Sequence, residues 1–148
     1  MTLPQFVSRL APGPRRRHTF SALAACAALL CLGAAAQAAD TSPAGQLQRW
    51  TAEAAVPASA ERGKAFFSKR FGGEWSCASC HNAPPTTEGK HPNTGKVIPP
   101  LAPSFNPKAF TEEAKVDKWI RRNCKDVLSR ECSAGEKADV LAYLITLK

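Results

Sequence analysis

The sequence predicts an all-α protein, and three observations carry that reading. Apolar residues recur at helical spacing in three separate stretches, near residues 60–72, 111–124 and 133–147. Nowhere do apolar and polar residues alternate as they do along a half-buried strand. Between the first two stretches, residues 82–108 hold seven prolines and no sustained apolar period. The expected architecture is therefore three main helices and one long, stiff, Pro-rich loop. There is no internal repeat and no nucleotide-binding glycine motif.

The chain opens on a segment that does not belong to this domain. Arg15, Arg16 and Arg17 precede an uncharged, Ala- and Leu-rich run from Phe20 to Ala36. Ala36-Gln37-Ala38 then fits a small-x-small cleavage site, the layout of a secretory signal peptide over residues 1–38. A membrane anchor through an uncleaved leader is the alternative, although the run is short and Ala-rich for a spanning helix. Leu23-Ala24-Ala25-Cys26 also resembles a lipoprotein box, with Cys26 as the lipidated residue. Four arginines and no acids precede residue 39, so the exported part carries a formal +4 rather than +8. No Lys/Arg block of the kind that binds nucleic acid remains in it, which excludes that class.

Residues 39–58 read as a flexible lead-in with room for one helical turn near Gln46–Ala54. The domain proper is expected over 59–148. Ser59 can cap a first helix with Glu61 in its first turn and Ala65, Phe66 and Phe67 on its apolar face, stopping at Gly72-Gly73. Thr111, followed by Glu112 and Glu113, opens a second, with Val116, Trp119 and Ile120 as its apolar face and its end near Asn123-Cys124. Ser133 and Glu136 form a capping box for the last helix, which carries Val140, Leu141, Leu144 and Leu147.

The chemistry lies just after the first helix, in Cys77-Ala-Ser-Cys80-His81. Two thiols at this spacing on one helical turn can each add to a haem vinyl group, and the next residue aims its imidazole at the iron. A redox dithiol would sit in a βαβ setting, which this sequence lacks. A zinc site would need two more ligands, and neither His91 nor the distant Cys124 and Cys132 complete a familiar pattern. One covalent haem c on Cys77 and Cys80, with His81 as iron ligand, is the expectation. It agrees with an exported, periplasmic location.

The exported part resembles the class I cytochromes c. Arg62-Gly63-Lys64-Ala65-Phe66-Phe67 stands before the motif, Ala142-Tyr143-Leu144 lies in the last helix, and Ile98-Pro99-Pro100-Leu101 is similar to the family's Gly-Pro-x-Leu segment. The resemblance implies that the terminal helices cross at Gly63, against Ala142 or Tyr143. It also implies that the Pro99 carbonyl accepts the Nδ1 proton of His81. Trp75 and Trp119 read as packing, as wall of the haem pocket with no catalytic role. The family's usual methionine ligand is absent, since the only methionine is Met1. Gly73-Glu74-Trp75-Ser76-Cys77, Pro99-Pro100-Leu101-Ala102-Pro103 and Arg121-Arg122-Asn123-Cys124 narrow the resemblance to the oxygen-binding sphaeroides haem protein group. That group implies an Asn ligand, here Asn123, beside a disulfide, here Cys124–Cys132. On reduction the Asn leaves, and O2 or NO binds. The ordinary alternative for Asn123 is a helix C-cap; for the two cysteines it is a pair of buried thiols.

Three functions stand as expectations. The first is a periplasmic monohaem protein that accepts electrons and binds a small gas ligand. The second is a plain electron carrier with a permanent His81/His91 haem. The third is a haem-based O2 or NO reductase. No paired carboxylates or nucleophile–base constellation supports a protein-borne catalytic role. The resemblance implies a dihaem cytochrome c, or a membrane cytochrome b, as redox partner.

Overall fold

The computed structural model describes residues 39–148; the expected leader over 1–38, with Cys26, lies outside the described residues. Five helices and one minimal hairpin make up the described chain. They are α1 (Pro43–Ala54), α2 (Ala60–Ser68), α3 (Cys77–His81), β1 (Gly89–Lys90), β2 (Val97–Ile98), α4 (Glu113–Leu128) and α5 (Ala134–Thr146). The all-α class holds, with two-residue strands pairing antiparallel as Gly89↔Ile98 and Lys90↔Val97.

The segment expected to be flexible is instead a three-turn helix. Ser42 accepts the Gly45 N–H through its side chain and Pro43 occupies the first turn, a strong local start. Gln46 and Trp50, one turn apart, are both fully buried. Trp50 joins Phe67, Phe110, Val116, Ala138, Leu141, Tyr143 and Leu144 in one core. Burial of this face against α5, more than helix propensity, accounts for α1.

Helix α2 begins at Ser59 as expected, with the Ser59 hydroxyl accepting from Arg62 N–H. It ends at Ser68, before the Gly72-Gly73 pair. Its crossing with α5 is so close that a Cβ on Gly63 would overlap the Asp139 carbonyl. The contact thus falls on Asp139 and Val140, about one turn before the expected Ala142 or Tyr143. Asp139 closes the crossing with polar bonds. Its carboxylate accepts from Ser59 N–H at 2.7 Å and from Arg62 Nε and Nη2, each at 2.7 Å.

Helix α4 differs from its expected bounds at both ends. Its N-cap is Glu112, and the Asp40 carboxylate, 73 positions away, accepts the Glu113 N–H at 2.8 Å. The Thr111 carbonyl accepts from Asp40 and Thr41 N–H, which ties the start of the described chain to the start of α4. Arg49 of α1 reinforces this with a 2.6 Å bond to Asp117. Beyond Asn123-Cys124 the helix continues to Leu128, and Ser129 in the left-handed region ends it. A Cys124–Cys132 disulfide, with Cα atoms 5.6 Å apart, links its last turns to the lead-in of α5. The Ser133–Glu136 capping box then starts α5 as expected.

Candidate haem site

Helix α3 is a single turn held at its start by serines. Ser76 is buried, its N–H donates to the Ser79 hydroxyl at 3.0 Å, and the two hydroxyls lie 3.2 Å apart. This turn sets Cys77, Cys80 and His81 in their helical relation. Both thiols are free. Burial pushes the Cys77 thiol up to about 11, and burial, with the Asp126 carboxylate, raises Cys80 as well. A reactive dithiol needs the opposite shift, so these cysteines are poor redox thiols. No group of three or more His, Cys, Asp or Glu side chains among the described residues could hold a metal ion by itself. Burial also lowers His81 below its usual range, favouring the neutral imidazole that ligates iron.

A buried His81 Nδ1 has no hydrogen-bond partner. The bond expected from it to the Pro99 carbonyl is therefore not made. Other anchors fix that part of the loop: Pro85 O accepts from Leu101 and Ala102 N–H, and Pro100 O accepts from the Asn106 amide at 2.9 Å. Pro99 itself is exposed. A buried His81 Nδ1 without a partner and two unpaired thiols on the same turn fit a cofactor held covalently through the cysteines and ligated by the imidazole. Cys77 and Cys80 would hold it covalently, and the iron would supply the redox chemistry.

Two features of the site carry no haem-specific signal in the sequence. Phe67 sets its ring 6.5 Å from that of His81. Gly89 is buried against α3, where a Cβ would overlap the Cys80 carbonyl, so the hairpin sits directly on the motif. A lone glycine in a Gly/Pro-rich loop reads only as a turn. Three more of the expected residues sit in defined surroundings. Trp75 packs edge-on against His91, ring centroids 5.8 Å apart. The His91 Nδ1 accepts from Asn93 and Thr94 N–H at 3.3 and 3.4 Å, within the hairpin turn. Trp119 is 42% exposed beneath the Arg122 guanidinium.

Asn123 lies inside α4, five residues before its last residue, so it is not a C-cap. It is exposed, and its carboxamide makes no hydrogen bond among the described residues. The next turn of α4 runs near the segment that leads into the motif. The Asp126 carboxylate is near enough to raise Cys80, and the Val127 carbonyl is 3.9 Å from where a Gly73 Cβ would stand.

Helical fold and motif together define a monohaem c-type cytochrome. Residues 53–144 match the family model described as a domain of unknown function (DUF1924), and the chain belongs to that family. The chain is 50% identical over 117 residues to the cytochrome c-type protein SHP of Cereibacter sphaeroides, covering 76% of this chain and 90% of that protein. Cytochrome c'' of Methylophilus methylotrophus is 48% identical over 88 residues, 57% of this chain and 61% of that protein. The solved structure of oxidised SHP, described as an oxygen-binding cytochrome c, matches with a TM-score of 0.67 at 50% identity, over 72% of this chain and 98% of that one. Oxidised cytochrome c'' matches with a TM-score of 0.64 at 40% identity, over 70% and 93%.

Proposed function

We propose that this cytochrome works in the periplasm, accepts electrons from a cytochrome partner and binds a diatomic ligand at an iron that Asn123 covers only in the ferric state. The observation that carries the reading is the position of Asn123. It is exposed in mid-helix, has no hydrogen-bond partner among the described residues, and stands one turn before Val127, whose carbonyl comes near Gly73 ahead of the motif. A carboxamide oxygen is a hard, weak ligand, better suited to Fe(III) than to Fe(II), so reduction loosens it. Cys124, bonded to Cys132, limits how far the neighbouring Asn123 can swing. The likeness to a protein described as oxygen-binding supports O2 as one ligand; NO has the same small, diatomic character.

Absorption spectra of both oxidation states test this. Asn123→Val should keep haem and fold yet abolish the redox-linked change in coordination, with CO binding only to reduced protein. His91→Ala should leave both states unchanged, because the His91 Nδ1 is engaged in its own hairpin. The opposite result, low-spin converted to high-spin by His91→Ala and no effect of Asn123→Val, would make the protein a bis-histidine electron carrier.

A further inference from the structure

Along α4, Asn123 has four neighbours at the spacings where side chains meet: Trp119, Ile120, Asp126 and Val127. Ile120 and Val127 are apolar, and the Trp119 indole can only donate. Asp126, three positions on, is the one hydrogen-bond acceptor among these side chains. Asn123 and Asp126 are both exposed, and neither side chain makes a hydrogen bond or ion pair among the described residues. The cations that could hold Asp126 along the helix are engaged elsewhere. Arg122, one turn before it, lies 5.6 Å from the Trp119 ring centroid. Arg130, one turn after it, bonds Glu136 at 2.6 Å and the Glu131 carbonyl at 2.8 Å. Arg121 and Lys125 face Glu131, at 3.9 and 4.0 Å. The Asp126 charge is also felt at Cys80, in the haem motif. A free carboxylate thus stands one turn from the proposed ligand.

We infer that Asp126 is a latch for the released Asn123: once reduction frees the carboxamide, its Nδ2–H donates to the Asp126 carboxylate one turn along α4. The inference rests on the proposed function, because it gives the released side chain a place to go. A carboxamide extended towards an iron cannot also lie along the helix surface, so the bond belongs to the ferrous state. A contact made in one oxidation state alone shifts the equilibrium towards that state. Asp126 is therefore a positioning residue. It holds Asn123 clear of the face where a diatomic ligand enters, and in doing so it favours reduction. Its bare charge does the reverse, since a nearby anion stabilises Fe(III) over Fe(II). One side chain thus exerts two effects of opposite sign, and they can be measured apart.

Midpoint potentials of the holoprotein separate the two in a double-mutant cycle. Asp126→Ala removes both charge and latch from the wild type. In the Asn123→Val background it removes the charge alone, because no carboxamide remains to be held. The latch should therefore make the shift more negative in the wild type, by about 2- to 3-fold in the ferrous/ferric equilibrium, the size of an exposed pair at this spacing. At 59 mV per tenfold for one electron, that difference is about 20–30 mV. Asp126→Glu, which keeps a carboxylate within reach, should preserve most of it. A ferrous crystal structure should place Asn123 Nδ2 about 3 Å from an Asp126 oxygen, and a ferric one should not. Equal shifts in the two backgrounds overturn the inference. So does a ferrous structure with the carboxamide turned away from Asp126, or a bond present in both states. Spectra of the same proteins report the ligand itself. An intact redox-linked coordination change with equal shifts condemns the latch alone, whereas no coordination change in the wild type overturns the ligand reading and the latch with it.

Discussion

Single residues decide two of the closest fits in this molecule. Gly63 is required because a Cβ would overlap the Asp139 backbone at the crossing of α2 and α5. Gly63→Ala should destabilise by about 2–3 kcal/mol through overpacking of two helices that cannot part cheaply. Urea unfolding checks this, and an unchanged midpoint would show that the crossing yields. Glu136 offers a pH test. The Arg130 hydrogen bond, helped by the Ser133 cap, holds its carboxyl below the usual carboxylate range. The group therefore stabilises the fold above the ordinary glutamate pKa, and that contribution disappears as pH falls through the lowered folded value. Melting temperatures of wild type and Glu136→Gln should differ at neutral pH and converge in acid. A constant offset across the range would contradict the assignment. Both residues are visible in the sequence, Gly63 as part of a pattern and Glu136 as half of a capping box, because their signals are local. Gly89 is not, because its constraint comes from a carbonyl nine positions away across a loop.

At the scale of elements, capping chemistry is legible and burial is not. Ser59 and Ser133 start α2 and α5 where the sequence indicates. The length of α4 is hidden, since Asn123-Cys124 looks like a terminus and the helix in fact runs on to Leu128. The disulfide closes a loop of seven intervening residues across the end of that helix. Such a loop should contribute roughly 2–3 kcal/mol. Cys132→Ser, compared with wild type under non-reducing conditions, should lower the unfolding free energy by about that much. Thiol counting on unreduced, unfolded wild type should find none free. Two titratable thiols would mean that the bridge does not form in the protein. Helix α1 is hidden for a different reason. Only Leu47 and Trp50 mark an apolar face in a stretch of small and polar residues, so nothing but the tertiary contact reveals it.

Taken whole, the described domain is closed by helices from both sides of the haem motif. Helices α1 and α2 from the beginning and α5 from the end enclose the shared core, and the haem motif and Pro-rich loop lie between them in sequence. Trp50 is fully buried in that core. Trp50→Ala should cost about 3–5 kcal/mol. A loss below about 1 kcal/mol would return the N-terminal segment to the flexible lead-in that its composition suggested. The overall class and the attachment site are legible because helical period and Cys-x-x-Cys-His are written in adjacent residues. The true extent of the domain is not, because its core is assembled from segments about ninety residues apart. That arrangement also sets an order of events in folding. The core is completed only when α5 docks, so α1 and α2 lack their main apolar partner until the far side of the sequence has folded against them. Through that interval Cys77 is in open chain, with an ordinary thiol, rather than buried with its pKa pushed up to about 11. Late closure of the fold thus leaves a window in which the cysteines remain chemically available for thioether formation.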